Sequence, residues 1–143
     1  MMKKLLILGF ITVLSGCSDK LNLSALNGSY TGKFYYTPPA GSVKTGNASV
    51  SFSDNTYSST ADAERIPAGG SGTLEILQDD VINFKDQNIW TANFDWGLIL
   101  SGKYKYEMKN DSLILTRYNE HCPPNENCGI VYTLYQYRLK RTN

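Results

Sequence analysis

Beyond its first sixteen residues the chain alternates apolar and polar positions in one short run after another. Tyr30, Gly32, Phe34 and Tyr36 fall on one side of the first run, and Ala48, Val50 and Phe52 on one side of the second. Leu74 and Ile76 lie together in a later one. Leu98, Leu100, Gly102, Tyr104 and Tyr106 line a long stretch, Leu113 and Leu115 follow, and Tyr135, Tyr137 and Leu139 share a face near the end. A period of two is the mark of a strand with one buried face. After the start, no segment carries a sustained stripe with the 3.6-residue period of a helix.

Turn formers separate these runs at close intervals. Ser53-Asp54-Asn55 divides the second strand from a third around Tyr57, and Asp79-Asp80 divides Thr73–Gln78 from Val81–Phe84. Asp86-Gln87-Asn88 precedes a strand over Ile89–Phe94, and Asp95-Trp96-Gly97 precedes the strand that starts at Leu98. Lys109-Asn110-Asp111 leads into Ser112–Tyr118, and the last strand runs over Ile130–Arg141. Longer loops cover Thr37–Thr45, with Pro38-Pro39, and Thr60–Ser71, with Gly69-Gly70. Eight or nine short strands joined mostly by hairpins predict an all-β, antiparallel up-and-down barrel of about eight strands. Closure favours the barrel over an open sandwich, because it leaves no unpaired strand edge.

The start of the chain is different. Lys3 and Lys4 precede an apolar stretch, Leu5 to Leu14, that only Gly9 and Thr12 interrupt. Small residues and Cys17 follow. This order is that of a secretory signal peptide, and the stretch is shorter than the ~20 residues that span a bilayer. Leu14-Ser15-Gly16-Cys17 matches the lipobox of bacterial lipoproteins, which implies cleavage before Cys17 and acylation of its thiol. The expected organisation is a signal peptide over residues 1–16, a lipidated tether over 17–27 and one barrel domain over 28–143. Acyl chains buried at ~0.8 kcal/mol per methylene would then hold the protein on a membrane. Asp19, not Ser18, carries the acidic group near the lipidated end, so the outer membrane is the preferred destination, on its periplasmic side or at the surface.

Without Lys3 and Lys4, 12 basic side chains face 13 acidic ones. That balance gives no reason to expect nucleic acid as a partner, which calls for a field of Lys and Arg. Nor is there a polybasic run to grip anionic headgroups. With Cys17 given to lipid, Cys122 and Cys128 remain, an even pair in an oxidising setting. A bridge between them would close a loop over Pro123-Pro124-Asn125-Glu126-Asn127 and contribute roughly 2 kcal/mol on chain-entropy grounds. His121, Cys122 and Cys128 as metal ligands fit less well, because zinc sites combine closely spaced cysteines with a second pair elsewhere.

Gly28-Ser29-Tyr30-Thr31-Gly32 resembles the Gly-x-Trp opening of lipocalins, with Tyr30 in the place of the tryptophan. Arg138 and Arg141 on the closing strand resemble the arginine that packs over that aromatic, and Arg141 fits better because it shares a face with Tyr135, Tyr137 and Leu139. Gly72-Thr73-Leu74, Ile82–Asp86, Gly102–Tyr106 and Asp111–Arg117 are similar to segments of small lipocalin-like lipoproteins of the Bacteroidetes kind. The resemblance spans roughly residues 26–141. It implies a lipocalin-like barrel in a membrane-anchored envelope lipoprotein.

No arrangement of residues points to catalysis. Gly69-Gly70-Ser71-Gly72-Thr73 lacks the second glycine of a nucleophile elbow, and His121 is the sole histidine, so a serine–histidine–acid triad has little to draw on. Asp79-Asp80 stands where a hairpin wants turn formers. Neither an enzyme nor a resident cofactor or metal is expected. The aromatics offer the main candidate site: Tyr30, Phe34, Tyr104, Tyr106 and Tyr135, inside a barrel just wide enough to be filled or to hold one small ligand. The leading expectation is a non-catalytic binding module for a small apolar ligand. The alternatives are a loop-mediated protein-interaction or protease-inhibitor-like protein acting on an envelope partner, and a structural envelope lipoprotein without ligand.

Overall fold

In the computed structural model, which describes residues 22–77, 80–91, 95–119 and 132–142, eight antiparallel strands close into a barrel in chain order. They are β1 (Gly28–Thr37), β2 (Lys44–Ser53), β3 (Thr56–Ser59), β4 (Gly70–Ile76), β5 (Val81–Asp86), β6 (Gly102–Lys109), β7 (Ser112–Arg117) and β8 (Leu134–Thr142). Closure is made by β1, which pairs with β2 on one side and with β8 on the other. Tyr36 thus faces both Lys44 and Tyr135 across the sheet. The expected up-and-down barrel is the observed fold.

The inward faces are those that the alternation marks. Tyr30, Phe34, Val50, Leu113, Leu115 and Tyr137 have no solvent-exposed surface, and each such side chain stabilises the fold by roughly 1.5–3 kcal/mol through burial. Their rings form a continuous chain through the interior. Tyr30 meets Phe52 edge-on at 5.5 Å, Phe52 lies 6.3 Å from Phe84, and Phe84 meets Tyr57 and Tyr104 at 4.9 and 5.6 Å. Tyr104 then meets Tyr137 at 6.1 Å, and Tyr137 meets Phe34 at 4.6 Å. Edge-on and tilted pairs of this kind suit the charge distribution of aromatic rings.

The barrel's two ends differ. Tight connections at 54–55, 77–80 and 110–111 turn the chain at one end, and the long ones, 38–43, 60–69, 87–101 and 118–133, all leave the other. The hairpin end is closed by a single-turn helix, α1 (Leu23–Leu26), whose Leu26 is fully buried. Asn22 caps it by accepting the Ala25 N–H at 2.9 Å. Arg141 of β8 clamps this helix. Its guanidinium lies 4.8 Å over the Tyr30 ring and donates to the carbonyls of Asn27 and, at 2.6 Å, Ala25. Arg138, three residues earlier, faces outward and stacks at 4.7 Å over Tyr35.

Two expected strands are not formed as expected. Residues 87–91 are not in a strand, and Ile89 is fully exposed. The Asp86 carboxylate accepts the Asn88 N–H and the Trp90 Nε1–H, at 3.2 and 2.5 Å, and so turns the chain away from the sheet. The strand expected from Leu98 begins only at Gly102, whose φ of +86° breaks the extended path. Before it, Trp96–Leu98 form a single 3-10 turn, capped by Asp95, which accepts the Gly97 N–H.

Candidate functional site

Residues 95–101 fold across the loop end of the barrel and are held there from within. Ile99 and Leu100 are both buried, so this segment puts consecutive side chains inward, which a strand cannot do. Gly69 pairs with Ile99 in a parallel bridge. Ala68 donates its N–H to the Leu98 carbonyl at 2.9 Å, and Leu100 donates to the Gly69 carbonyl at 3.0 Å. Three further carbonyls, of Gly97, Ile99 and Leu100, meet side-chain donors from the barrel wall. Tyr57 on β3 donates to Leu100 at 2.5 Å, Tyr104 on β6 to Ile99 at 3.5 Å, and Arg117 on β7 to Gly97 at 3.2 Å. The segment is a lid.

The strands explain why these donors converge. Tyr104 and Arg117 are direct register partners on β6 and β7 and both point inward near the loop end. Arg117 also lies 5.5 Å over the Tyr135 ring, and the Tyr135 hydroxyl approaches the Asp95 carboxylate at 3.4 Å. Gly97 packs flat on Tyr135, where any added Cβ would overlap the ring. No carboxylate among the described residues forms a salt bridge with the Arg117 guanidinium, which donates to the Gly97 carbonyl and lies against the Tyr104 hydroxyl.

Burial sets the electrostatics of this end. Desolvation pushes the Tyr104 hydroxyl up to about 12, against the opposing pull of Arg117. It also raises Tyr57 and, well above the usual phenol range, Tyr137, and it raises Tyr135, with Asp95 adding to the shift. All four are therefore neutral at physiological pH, and Tyr57, Tyr104 and Tyr135 serve as donors. The Tyr137 and Ser59 hydroxyls are buried inside the barrel and have no hydrogen-bond partner among the described residues. A buried hydroxyl without a partner costs about 1–3 kcal/mol.

Of the aromatics expected to line a pocket, the structure brings together Phe34, Tyr104 and Tyr135. Phe34 stacks on Tyr135 at 6.5 Å, and both Phe34 and Tyr104 touch Tyr137. Tyr106 is buried in the same core, one inward position nearer the hairpin end, opposite Leu115. Tyr30 stands apart at the closed end under Arg141. Sequence reasoning missed Tyr57, Arg117 and the lid. The alternation of Leu113, Leu115 and Arg117 carried the signal for Arg117. Cys17, Cys122, Cys128 and His121 lie outside the described residues, as do the acylation and the disulfide expected of them.

Of the six exposed large apolar side chains among the described residues, all but Leu77, which lies at the hairpin end, gather at one end. Val43, Ile89, Trp96, Tyr132 and Leu134 all belong to the loop end or its connections, Trp96 being 56% exposed on the lid itself. No protein-family model, curated protein or solved structure matches this chain.

Proposed function

We propose that the protein is a lipid-anchored binding module of a bacterial cell envelope, whose barrel takes a small, largely apolar ligand at the loop end, under the lid. One observation carries the reading: three inward donors, Tyr57, Tyr104 and Arg117, hold the lid only by its backbone carbonyls. A ligand with an apolar body and one or two acceptor oxygens meets the same donors once Ile99 and Leu100 swing out. The aromatic wall of Phe34, Tyr135 and Tyr137 supplies apolar contact, and pockets of this kind pair such walls with a few placed polar groups. The lipocalin-like resemblance supports it, since an arginine over the first-strand aromatic is what that resemblance implies. Anchoring rests on Leu14-Ser15-Gly16-Cys17. Non-catalytic action is part of the same proposal.

The test is native mass spectrometry of protein purified from its own membrane, followed by binding of fluorescent fatty-acid and retinoid-type probes. A co-purifying small molecule, or micromolar probe binding that is lost on substituting Gly97 by Leu, is expected. The exposed Val43, Ile89, Trp96, Tyr132 and Leu134 at the same end favour a second reading, recognition of an envelope protein. A co-purifying protein with no small molecule and no probe binding would select that reading instead. Neither kind of partner would leave a structural lipoprotein.

A further inference from the structure

The chain's near-neutral balance hides a one-sided distribution of charge. On the outward positions of β6, β7, β8 and β1 stand Lys103, Lys105, Lys109, Arg138, Lys140 and Lys33, and Glu107 is the single carboxylate among those strand positions. The register sets them side by side. Lys109, Ser112 and Lys140 are successive cross-strand neighbours, and Glu107, Ile114, Arg138 and Lys33 form the next row. Neighbours across a sheet have Cβ atoms about 5 Å apart, so the two lysines flank the Ser112 hydroxyl at a distance their flexible stems easily close. Lys109, Lys140 and Ser112 line, with Asn110 and Asp111, a surface pocket of about 320 Å³ beside the β6–β7 turn. Asp111 brings one negative charge to this pocket against the two lysines, and the Arg141 N–H holds its backbone carbonyl.

The pocket lies at the hairpin end, the end at which the chain arrives from its N-terminus through α1. We propose that this end and the adjoining outer face of β6, β7, β8 and β1 dock on an anionic phospholipid bilayer, with a lipid phosphate seated between Lys109 and Lys140. The choice of occupant rests on the anchoring proposed above. From Cys17 to Asn22 the chain spans at most ~18 Å, so an acylated Cys17 holds this cationic end within reach of the headgroups. An acyl anchor together with a basic patch is the two-signal arrangement that gives lasting attachment. Ammonium groups on flexible stems act on phosphate as point charges and need no fixed geometry.

Lysine footprinting tests this on the acylated protein, reconstituted in phosphatidylcholine vesicles with or without about 40% phosphatidylglycerol. Anionic lipid is expected to slow amine labelling of Lys109 and Lys140 by about fivefold, and ~0.5 M salt to reverse the effect. Lys44, at the loop end, should label alike in both vesicles. In the double variant Lys109→Gln/Lys140→Gln, the protection of Lys105 should weaken too. Equal labelling of Lys109 and Lys140 in neutral and anionic vesicles would overturn the proposal. So would protection of the same lysines by a soluble polyphosphate or oligonucleotide where vesicles give none. Tagged fatty-acid labelling of Cys17 is scored separately. If it fails while unacylated protein still shows lipid-dependent protection, the anchoring reading falls and the docking surface stands.

Discussion

Removing one oxygen atom from Tyr57 should loosen the lid without unfolding the barrel. The Tyr57 hydroxyl donates to the Leu100 carbonyl at 2.5 Å in a buried setting. A neutral hydrogen bond of this kind contributes about 1 kcal/mol net, and leaving a buried carbonyl unpaired costs about 1–3 kcal/mol. In Tyr57→Phe the ring keeps its packing on Phe84, so little of the loss comes from the core. The carbonyl recovers a partner, water, if the lid opens, so the penalty falls on the closed state alone. A shift of about 1–3 kcal/mol in the opening equilibrium is a factor of about 5 to 150. Hydrogen exchange followed by mass spectrometry reads this directly, with peptides over 95–101 compared against peptides from β1 and β7. Amides of the lid, Leu98 and Leu100 among them, should exchange faster by that factor while the strand peptides stay within about twofold, as local opening requires. Unchanged exchange of the lid would refute the reasoning. A uniform acceleration across all strands would also refute it, because the lid would then be part of the global unit rather than a separable cover.

The remaining expectations concern the closed end, alkali and the cysteines. Arg141→Met should destabilise the protein by about 2–4 kcal/mol in urea, from a cation–π contact and two charge-assisted bonds to carbonyls, discounted for partial exposure; a loss below about 0.5 kcal/mol would show that α1 holds without the clamp. Tyr30, Tyr57, Tyr104, Tyr135 and Tyr137 all have raised values in the folded state, chiefly through burial. Their neutral forms therefore stabilise the barrel fully below the unfolded tyrosine value near ~10, and that contribution is lost as pH rises toward 12. Thermal midpoints should be flat from about pH 7 to 10 and fall above, and phenolate absorbance of these residues near pH 10 in still-folded protein would contradict their burial. Cys17→Ser should abolish incorporation of a tagged fatty acid, and equal label on wild type and variant would exclude the lipobox reading. Cys122 and Cys128 should resist alkylation in denatured, unreduced mature protein, and free thiols at both would reopen the metal alternative.

Where the sequence was legible, it was so because burial on one face leaves a period of two. Tyr30–Tyr36, Ala48–Phe52, Leu113–Leu115 and Tyr135–Leu139 all become inward faces as read. The reading failed at 89–91 and 98–101, where apolar residues are spaced like a strand but serve another end. Leu98 and Leu100 alternate in sequence, yet Ile99 between them is buried as well, because the segment crosses the barrel mouth and does not run along its wall. Side-chain type alone does not distinguish these cases. The hydrogen bonds that decide it involve Tyr57 and Arg117, distant in the chain, Tyr104 on the following strand, and Asp86, hidden in a turn. The cationic face was illegible for a related reason. Lys103, Lys105 and Lys109 stand two or four apart and look dispersed in a linear count, and only the register with β8 and β1 gathers them beside Arg138, Lys140 and Lys33.

The same topology separates what each end of the molecule can meet. In an up-and-down barrel every connection lies at one end or the other, and here the short ones share their end with α1 and the incoming chain. β1 has ten residues, so it extends about 33 Å along the sheet and about 25 Å along the axis of a barrel with tilted strands. A tether of at most ~18 Å between an acylated Cys17 and Asn22 is shorter than that. Given the proposed acylation, the barrel can stand on its hairpin end or lie on its basic side, but it cannot turn its lid down onto the bilayer that anchors it. A ligand that enters under residues 95–101 must then arrive through water or be handed over by another protein, and the exposed Trp96 on the lid is placed where such a donor would touch first.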